Sequence, residues 1–284
     1  MTQSLRFVVA PRRFLPVIIA IAAIATLVAG LACGGSEEPD AAVESASPAA
    51  QPAAQATPTP TPPPDPKALL AETAATTRAL ASMRFAVTHE TGSIFVSAAN
   101  AKATEANGAW NATQGADIAI DAYLVAGPDA DLESGTYIQL NMLLTPDSYF
   151  ITDPLSGVWT KRPLSSVPVP IDQIANIVGD MLETVEDPQL AGQESLDGVA
   201  TYRITGRAPA TVMEWLLLKG VPGQFVDIEI WTDTQEKLIQ KLRLTGPVGE
   251  FDDPDTVRVI TLSDVNGSVS VEPPADFIDL SNLQ

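Results

Sequence analysis

The chain has 284 residues, and 35 acidic against 16 basic residues give it a net charge of −19. Such an acidic surface repels nucleic acid and anionic lipid head groups, which excludes a nucleic-acid partner and membrane attachment through a basic patch. The single cysteine, Cys33, excludes an internal disulfide.

The N-terminal segment has the order of an export signal. Three arginines precede an apolar stretch at 14–32, and small residues follow before Cys33. This pattern resembles the lipobox of bacterial lipoproteins, in which the cysteine after the cleavage site receives lipid, although Gly30 stands where leucine is usual. We predict a lipoprotein signal peptide at 1–32 and lipidation of Cys33. An uncleaved membrane anchor is the alternative.

Either interpretation places the rest of the chain on the extracytoplasmic face of the cell membrane. Residues 33–66 contain the lipidated cysteine followed by a segment rich in proline, alanine and threonine. This composition cannot bury enough apolar surface to offset chain entropy, so we expect a disordered linker. Residues 67–284 are long enough for one β-rich domain, which we predict to be the folded part.

Periodicity along this domain predicts an α+β fold with a large curved antiparallel sheet. A 3.6-residue repeat predicts a helix over 66–83, and alternation predicts a strand over 84–96. Short alternating runs separated by Gly, Pro, Asn and Asp then predict about ten strands in all. Apolar faces predict two more helices, at 170–186 and 208–220.

Three helices can cover only part of such a sheet, and a sheet of this size curls. The enclosed volume is filled either by side chains or by a ligand, and the residue pattern leaves both readings open. The inward apolar positions that would line a cavity are Ile118, Ile120, Leu124, Ile138, Leu140, Met142, Ile174, Ile177, Met181, Trp215, Leu216, Ile228 and Ile230.

The sequence offers little for catalysis or metal binding. His89 is the only histidine, and its strand neighbour Glu90 points to the opposite face, so the two form no dyad. We expect His89 to face solvent. The acidic run at 250–255 lacks the spacing of an EF-hand, so a solvated turn is expected rather than a calcium site. We therefore expect a protein that is not an enzyme and has no metal or cofactor.

The strand region 82–92 and three blocks of the domain, at 192–206, 231–233 and 262–274, resemble the mycobacterial LppX/LprG lipoprotein family. The first block has the family's glycine, acidic and Thr-Tyr pattern, and the second is a Trp-Thr-Asp strand end. The third is a closing Leu-Ser-Asp motif, in which Val265 replaces the usual aromatic residue. The matching residues are Gly192, Glu194, Asp197, Gly198, Thr201, Tyr202 and Gly206; Trp231, Thr232 and Asp233; and Leu262, Ser263, Asp264, Asn266, Val269, Val271 and Pro274.

The resemblance implies a half-barrel like that of the LolA and LolB carriers, closed by helices over an apolar cavity. It implies binding of an acyl lipid or glycolipid and help in carrying it across the cell envelope. The membrane would be reached through the lipid anchor, a lipid-export transporter is a further candidate partner, and a monomer is expected. The alternative is a non-enzymatic surface interaction or envelope-scaffold lipoprotein with a filled core.

Overall fold

The computed structural model describes residues 62–96, 99–166, 171–216 and 220–281. They lie in one structural unit, Pro60–Gln284. The signal peptide, Cys33 and nearly all of the linker fall outside the described residues, so these expectations remain predictions.

Helix α1 spans Pro66–Arg78 and begins where the sequence predicted. The Asp65 carboxylate accepts a hydrogen bond from the Ala68 amide at 2.8 Å, and proline occupies the first helical position, where it needs no amide partner. The helix ends five residues before the predicted boundary, because Ser82 already pairs with Asn111 in the sheet. Tertiary pairing therefore overrides the helical period at this end.

Helix α2 spans Ile174–Glu183 and follows a short 3-10 turn at Ile171–Gln173. The predicted helix at 208–220 is not an α-helix. Its first two residues close a strand, and Ala210–Leu216 form a 3-10 helix. The described part of the chain thus has two α-helices, where three helices were predicted. Neither of them combines the length and the apolar character that a membrane crossing requires.

In the described ranges, thirteen strands form a single sheet, which is more than the ten or so predicted. Their bounds are β1 Ser82–Thr91, β2 Ile94–Val96, β3 Ala101–Asn111, β4 Gly115–Leu124, β5 Thr136–Thr145, β6 Ser148–Thr152, β7 Trp159–Arg162, β8 Glu186–Leu196, β9 Val199–Pro209, β10 Phe225–Asp233, β11 Ile239–Thr245, β12 Val257–Ser263 and β13 Ile278–Asp279.

The sheet consists of two meanders joined through the first strand. Its order is β13-β7-β6-β5-β4-β3-β1-β12-β11-β10-β9-β8, and β2 pairs with β3 beside this path. Every pairing is antiparallel except that of β13 with β7. The sheet stays open, with β13 and β8 at its two ends, and the predicted large antiparallel sheet is confirmed.

The two helices pack together over the β8–β12 half of the sheet. The main hydrophobic cluster joins both helices to the inward residues of β9 to β12, and these side chains are almost fully buried. Its larger members are Leu69, Leu70, Val178, Met181, Leu182, Ile204, Met213, Val226, Ile228, Ile230, Ile239, Leu242, Leu244 and Ile260.

The outer edge strand, β8, is irregular. Its register against β9 shifts between Glu186 and Gln189 and again between Leu190 and Gly192. Asp187 adopts a positive φ of 49°, and Pro188 follows it. These features are β-bulges, which twist an edge strand out of the plane of its sheet.

Candidate functional site

The inward side of β4 and β5 is apolar and only partly covered. Ile118, Ile120 and Leu124 of β4 and Leu140 of β5 are partly exposed, and Ile120 and Leu140 are direct partners in the pairing of the two strands. We call this surface the apolar inner face. It consists of Ile118, Ile120, Ala122, Leu124, Ile138, Leu140 and Met142.

The partial exposure follows from the position of the helices. A separate small cluster at the far end of the apolar inner face contains Ala101, Ala122 and Ile138. No helical residue takes part in that cluster, among the residues that the structure describes. Because α1 and α2 are packed over the other half of the sheet, this end has neighbours only within its own strands.

The start of α2 reaches this surface. Ile174 packs against both the main cluster and the cluster beside Met142, so it lies between the two halves. Ile177, one turn later, is half-buried. The structure therefore brings the strand candidates of β4 and β5 together with the first turn of α2.

Three other predicted lining residues lie deep in the main core. Ile228 and Ile230 have no exposed surface, and Met181 is 1% exposed. All three are enclosed by protein side chains in this conformation. Trp215 and Leu216 belong to the 3-10 helix after β9, and their side chains are outside the described set.

A helix-closed apolar cavity is not confirmed. One pocket among the described residues has a volume of about 400 Å³ and lies on the outward face of β8 to β11. Its lining is charged, so it cannot hide an acyl chain from water, and the apolar inner face is the better lipid candidate. The pocket is lined by Glu90, Glu194, Ser195, Leu196, Arg203, Glu229, Trp231, Lys241 and Arg243.

The charges of this outer pocket largely satisfy one another. Arg203 and Arg243 both donate to the Glu229 carboxylate, the latter at 2.9 Å. Burial works to raise the pKa of Glu229, but the hydrogen bonds from the two arginines outweigh it and hold the pKa below its ordinary value. The pocket is consistent with a structural network, because Arg203, Arg243, Glu229 and Glu90 are all paired with opposite charges.

Several residues of the family pattern have structural roles in this network and its turns. The Trp231 indole donates to the Glu194 carboxylate, and Arg203 and Lys241 lie 5.4 and 4.8 Å from the centre of its ring. Asp197 and Gly198 both have positive φ, as the two-residue turn between β8 and β9 requires. The recognisable motif therefore marks the architecture of the sheet and not the apolar inner face.

His89 faces inward, which contradicts the prediction that it faces solvent. Its Nδ1 lies 2.9 Å from the Thr104 carbonyl oxygen, and burial lowers its pKa. Glu90 points outward and accepts from Arg243 at 2.9 Å, so the predicted opposite orientation of the two neighbours is confirmed.

Sequence reasoning missed Arg258, which is fully buried on the inward side of β12. Its Nη2 lies 2.7 Å from Asp252 Oδ2, so Asp252 of the acidic run serves an internal ion pair and not a solvated turn. The sequence signal that was missed is the two-residue alternation of the strand, which places Arg258 on the same inward face of β12 as Ile260. Within the described ranges, no group of three His, Cys, Asp or Glu residues could hold a metal ion.

Residues 171–272 match the family model described as LppX_LprAFG lipoprotein. No curated protein matches the sequence. The solved structure of LprF from Mycobacterium bovis is 16% identical and has a TM-score of 0.54, covering 76% of this chain and 100% of that chain.

Two further solved structures are more distant. LppX from Mycobacterium tuberculosis is 19% identical, with a TM-score of 0.46 over 73% of this chain and 100% of that chain. A LolA superfamily protein from Nitrosomonas europaea is 12% identical, with a TM-score of 0.24 over 72% and 94% of the two chains. Scores this low carry no argument, so the fold likeness depends on LprF. The resemblance read from the sequence is confirmed: residues 171–272 match the LppX_LprAFG lipoprotein model, in a domain whose fold is similar to that of LprF.

Proposed function

We propose that this protein is a membrane-anchored lipoprotein that binds acyl lipid on the apolar inner face and helps to move it through the cell envelope. The observation that carries the proposal is that Ile118, Ile120 and Leu140 remain partly exposed on the inward side of the sheet. Inward apolar residues of a folded domain are normally covered, and a contiguous patch that stays partly exposed is a candidate binding surface.

The energetics suit a carrier. Burying one methylene group contributes about 0.8 kcal/mol, so complete burial of a palmitoyl chain contributes roughly 12 kcal/mol. A face that remains half open would supply about half of that, before the cost of association is subtracted. Such binding is reversible, which is what a protein that must both take up and release lipid requires.

The tether completes this proposal. The predicted acylated Cys33 would hold the domain at the cell membrane, and the linker up to residue 66 would let it reach beyond the surface. We infer that the domain works as a monomer on the extracytoplasmic face and has no catalytic step. A lipid-export transporter is a candidate source of the lipid.

A second function is favoured by the filled main core. Leu242, Ile228 and their neighbours leave the helix-covered half of the sheet packed with side chains. An envelope scaffold that binds proteins and not lipid would need only such a filled core. The two functions differ in what the apolar inner face does.

The test compares neighbouring positions on one strand. Ile120→Gln places a polar group on the apolar inner face, and Ala119→Gln places the same group on the opposite face of β4. The full chain is purified in a bile-salt detergent, which has no acyl chain, and binding of isotopically labelled palmitate and dipalmitoylglycerol is measured by mass spectrometry. We expect Ile120→Gln to weaken binding about tenfold, since about 1.5 kcal/mol of apolar burial is lost.

The control Ala119→Gln should bind as the unchanged protein does. A protein that takes up neither lipid would contradict the carrier function and favour the scaffold. Equal effects of the two substitutions would remove the apolar inner face from the proposal.

A further inference from the structure

A buried polar cluster lies on the inward side of the sheet, where β12 begins and β1 ends. Its members are Arg258, His89 and Thr256, and His89 is the direct partner of Arg258 in the pairing of the two strands. All three side chains have buried polar atoms without a hydrogen-bond partner in the described structure. Buried polar groups are nearly always paired, so this concentration needs an explanation.

Arg258 supplies unpaired donors. Its side chain has no exposed surface, and its Nη2 forms the ion pair with Asp252. That carboxylate oxygen also accepts from the amides of Val248 and Gly249, each at 2.8 Å. None of the three guanidinium nitrogens, Nη2 included, has a hydrogen-bond partner of good geometry among the described residues. The positive charge is therefore compensated, but its hydrogen-bonding capacity is not.

His89 supplies an unpaired acceptor. Its Nδ1 must carry the hydrogen, because the only group that it faces at 2.9 Å is a carbonyl oxygen, that of Thr104. Burial lowers the pKa of His89, so the ring is neutral at neutral pH and Nε2 presents a lone pair. Nε2 is buried and has no partner in the described part of the chain.

Thr256 adds a buried hydroxyl group, which can both donate and accept a hydrogen bond. Its Oγ1 is buried without a partner, and Gly92 packs against it so closely that a Cβ there would lie 2.7 Å from Oγ1. Gln224 Oε1, just before β10 at the same end of the sheet, is another unpaired acceptor. This end of the sheet therefore contains both unpaired donors and unpaired acceptors.

The combination of unpaired donors and acceptors favours one class of ligand for this cluster. An anion would satisfy Arg258, but Asp252 already neutralises that charge, and the lone pair of His89 would repel a second anion. A metal ion is disfavoured beside a guanidinium. A hydroxyl group accepts through its oxygen and donates through its hydrogen, so it can satisfy Arg258 and His89 at once.

The cluster lies at the level of the apolar inner face. Ile138 pairs with Ala122, and Ala122 pairs with Ala103 of β3. The next residue of β3, Thr104, contacts His89. With neighbouring strands about 4.8 Å apart, His89 is roughly 10 Å from β4. His89 is itself only half-buried, so the cluster lies closest to solvent on that side, although Nε2 is covered.

We propose that Arg258, His89 and Thr256 bind the hydroxyl-bearing head group of an acyl lipid whose chain lies on the apolar inner face. This inference rests on the proposed lipid-binding function and extends it by naming the polar end of the ligand. Glycerol and sugar head groups share the required hydroxyl chemistry.

The test uses four ligands with the same chain length: monopalmitoylglycerol, hexadecyl glucoside, methyl palmitate and palmitate. Dissociation constants are measured for the full chain in bile-salt detergent. We expect one or both hydroxylated ligands to bind about tenfold more tightly than methyl palmitate, as a hydrogen bond to a charged group allows. Thr256→Val keeps the side-chain shape and should reduce this preference to less than about threefold. The matched control Thr261→Val, at an exposed position of β12, should keep it.

Equal affinities for monopalmitoylglycerol, hexadecyl glucoside and methyl palmitate would overturn the inference, because ordered water alone would then fill the cluster. Tightest binding of palmitate would overturn it in favour of an anionic head group. Both results would leave the proposed lipid-binding function intact. Failure of all four ligands to bind would reject that function together with the inference.

Discussion

Thr73 of α1 and Thr232 of β10 meet with their side-chain oxygens 3.0 Å apart, and neither residue has any exposed surface. The Thr73 hydroxyl also donates to the Leu69 carbonyl oxygen at 2.9 Å, so Thr232 supplies the hydrogen of the contact between them. This contact joins the helix layer to the sheet inside an otherwise apolar core. Thr232 is also part of the Trp-Thr-Asp motif, which gives that motif a structural reason.

We expect Thr73→Val to lower the free energy of unfolding by about 1–2 kcal/mol. The substitution preserves the shape of the side chain but leaves the Thr232 hydroxyl buried without an acceptor. The double variant Thr73→Val with Thr232→Val should be less destabilised than the sum of the two single variants, because no orphan hydroxyl remains. Urea unfolding followed by circular dichroism measures all four proteins. Strict additivity would show that the two hydroxyls do not interact.

A second prediction concerns the pH dependence of stability. Because Glu229 has a folded-state pKa below its ordinary value of 4.5, its ionised form stabilises the fold above that pH. The contribution is lost as the pH falls through the lowered value. The difference in unfolding free energy between the unchanged protein and Glu229→Gln should therefore be largest near pH 7 and shrink towards pH 3.

Asp227→Asn is the control for this experiment. Asp227 lies on the same face of β10, but it is exposed and its nearest cation, Arg207, is 4.0 Å away. The Asp227→Asn substitution should change the free energy of unfolding by less than about 0.5 kcal/mol at either pH. A Glu229→Gln difference that does not depend on pH would contradict the role assigned to the two arginines.

A third prediction concerns the anchor. Cells that express the protein are labelled with an alkyne analogue of palmitate, and Cys33→Ser should abolish the label completely. The intact mass of the unchanged protein should correspond to a chain that starts at the acylated Cys33. A full-length chain without acyl groups would contradict the lipoprotein prediction and support the uncleaved anchor.

The strands were the most predictable part of the fold. Alternating runs such as Ile118–Ile120 in β4 have one apolar and one polar face, and this pattern survives whatever packs above it. The helix predicted at 208–220 failed because an unusually apolar run also suits a strand end and a buried 3-10 turn. Local periodicity cannot separate these structures.

The candidate site was predictable in part. The inward residues of β4 and β5 followed from alternation, but their partial exposure depends on where α1 and α2 lie, which no local pattern specifies. Arg258 escaped notice because a charged residue in a strand is normally assigned to the outer face. Its partner Asp252 is six residues away, across a loop whose path the sequence does not reveal.

The irregular β8 strand has a consequence for the protein's behaviour at high local density. If the predicted anchor at Cys33 holds the domains on one membrane, copies will meet repeatedly, and a straight outermost strand would invite a neighbouring copy to extend the sheet. The bulges at Asp187 and Gly192, the missing amide of Pro188 and the negative charge of Glu186 all interrupt the ladder that an incoming strand would need. Crowding at the cell surface should therefore leave these domains separate instead of seeding fibres.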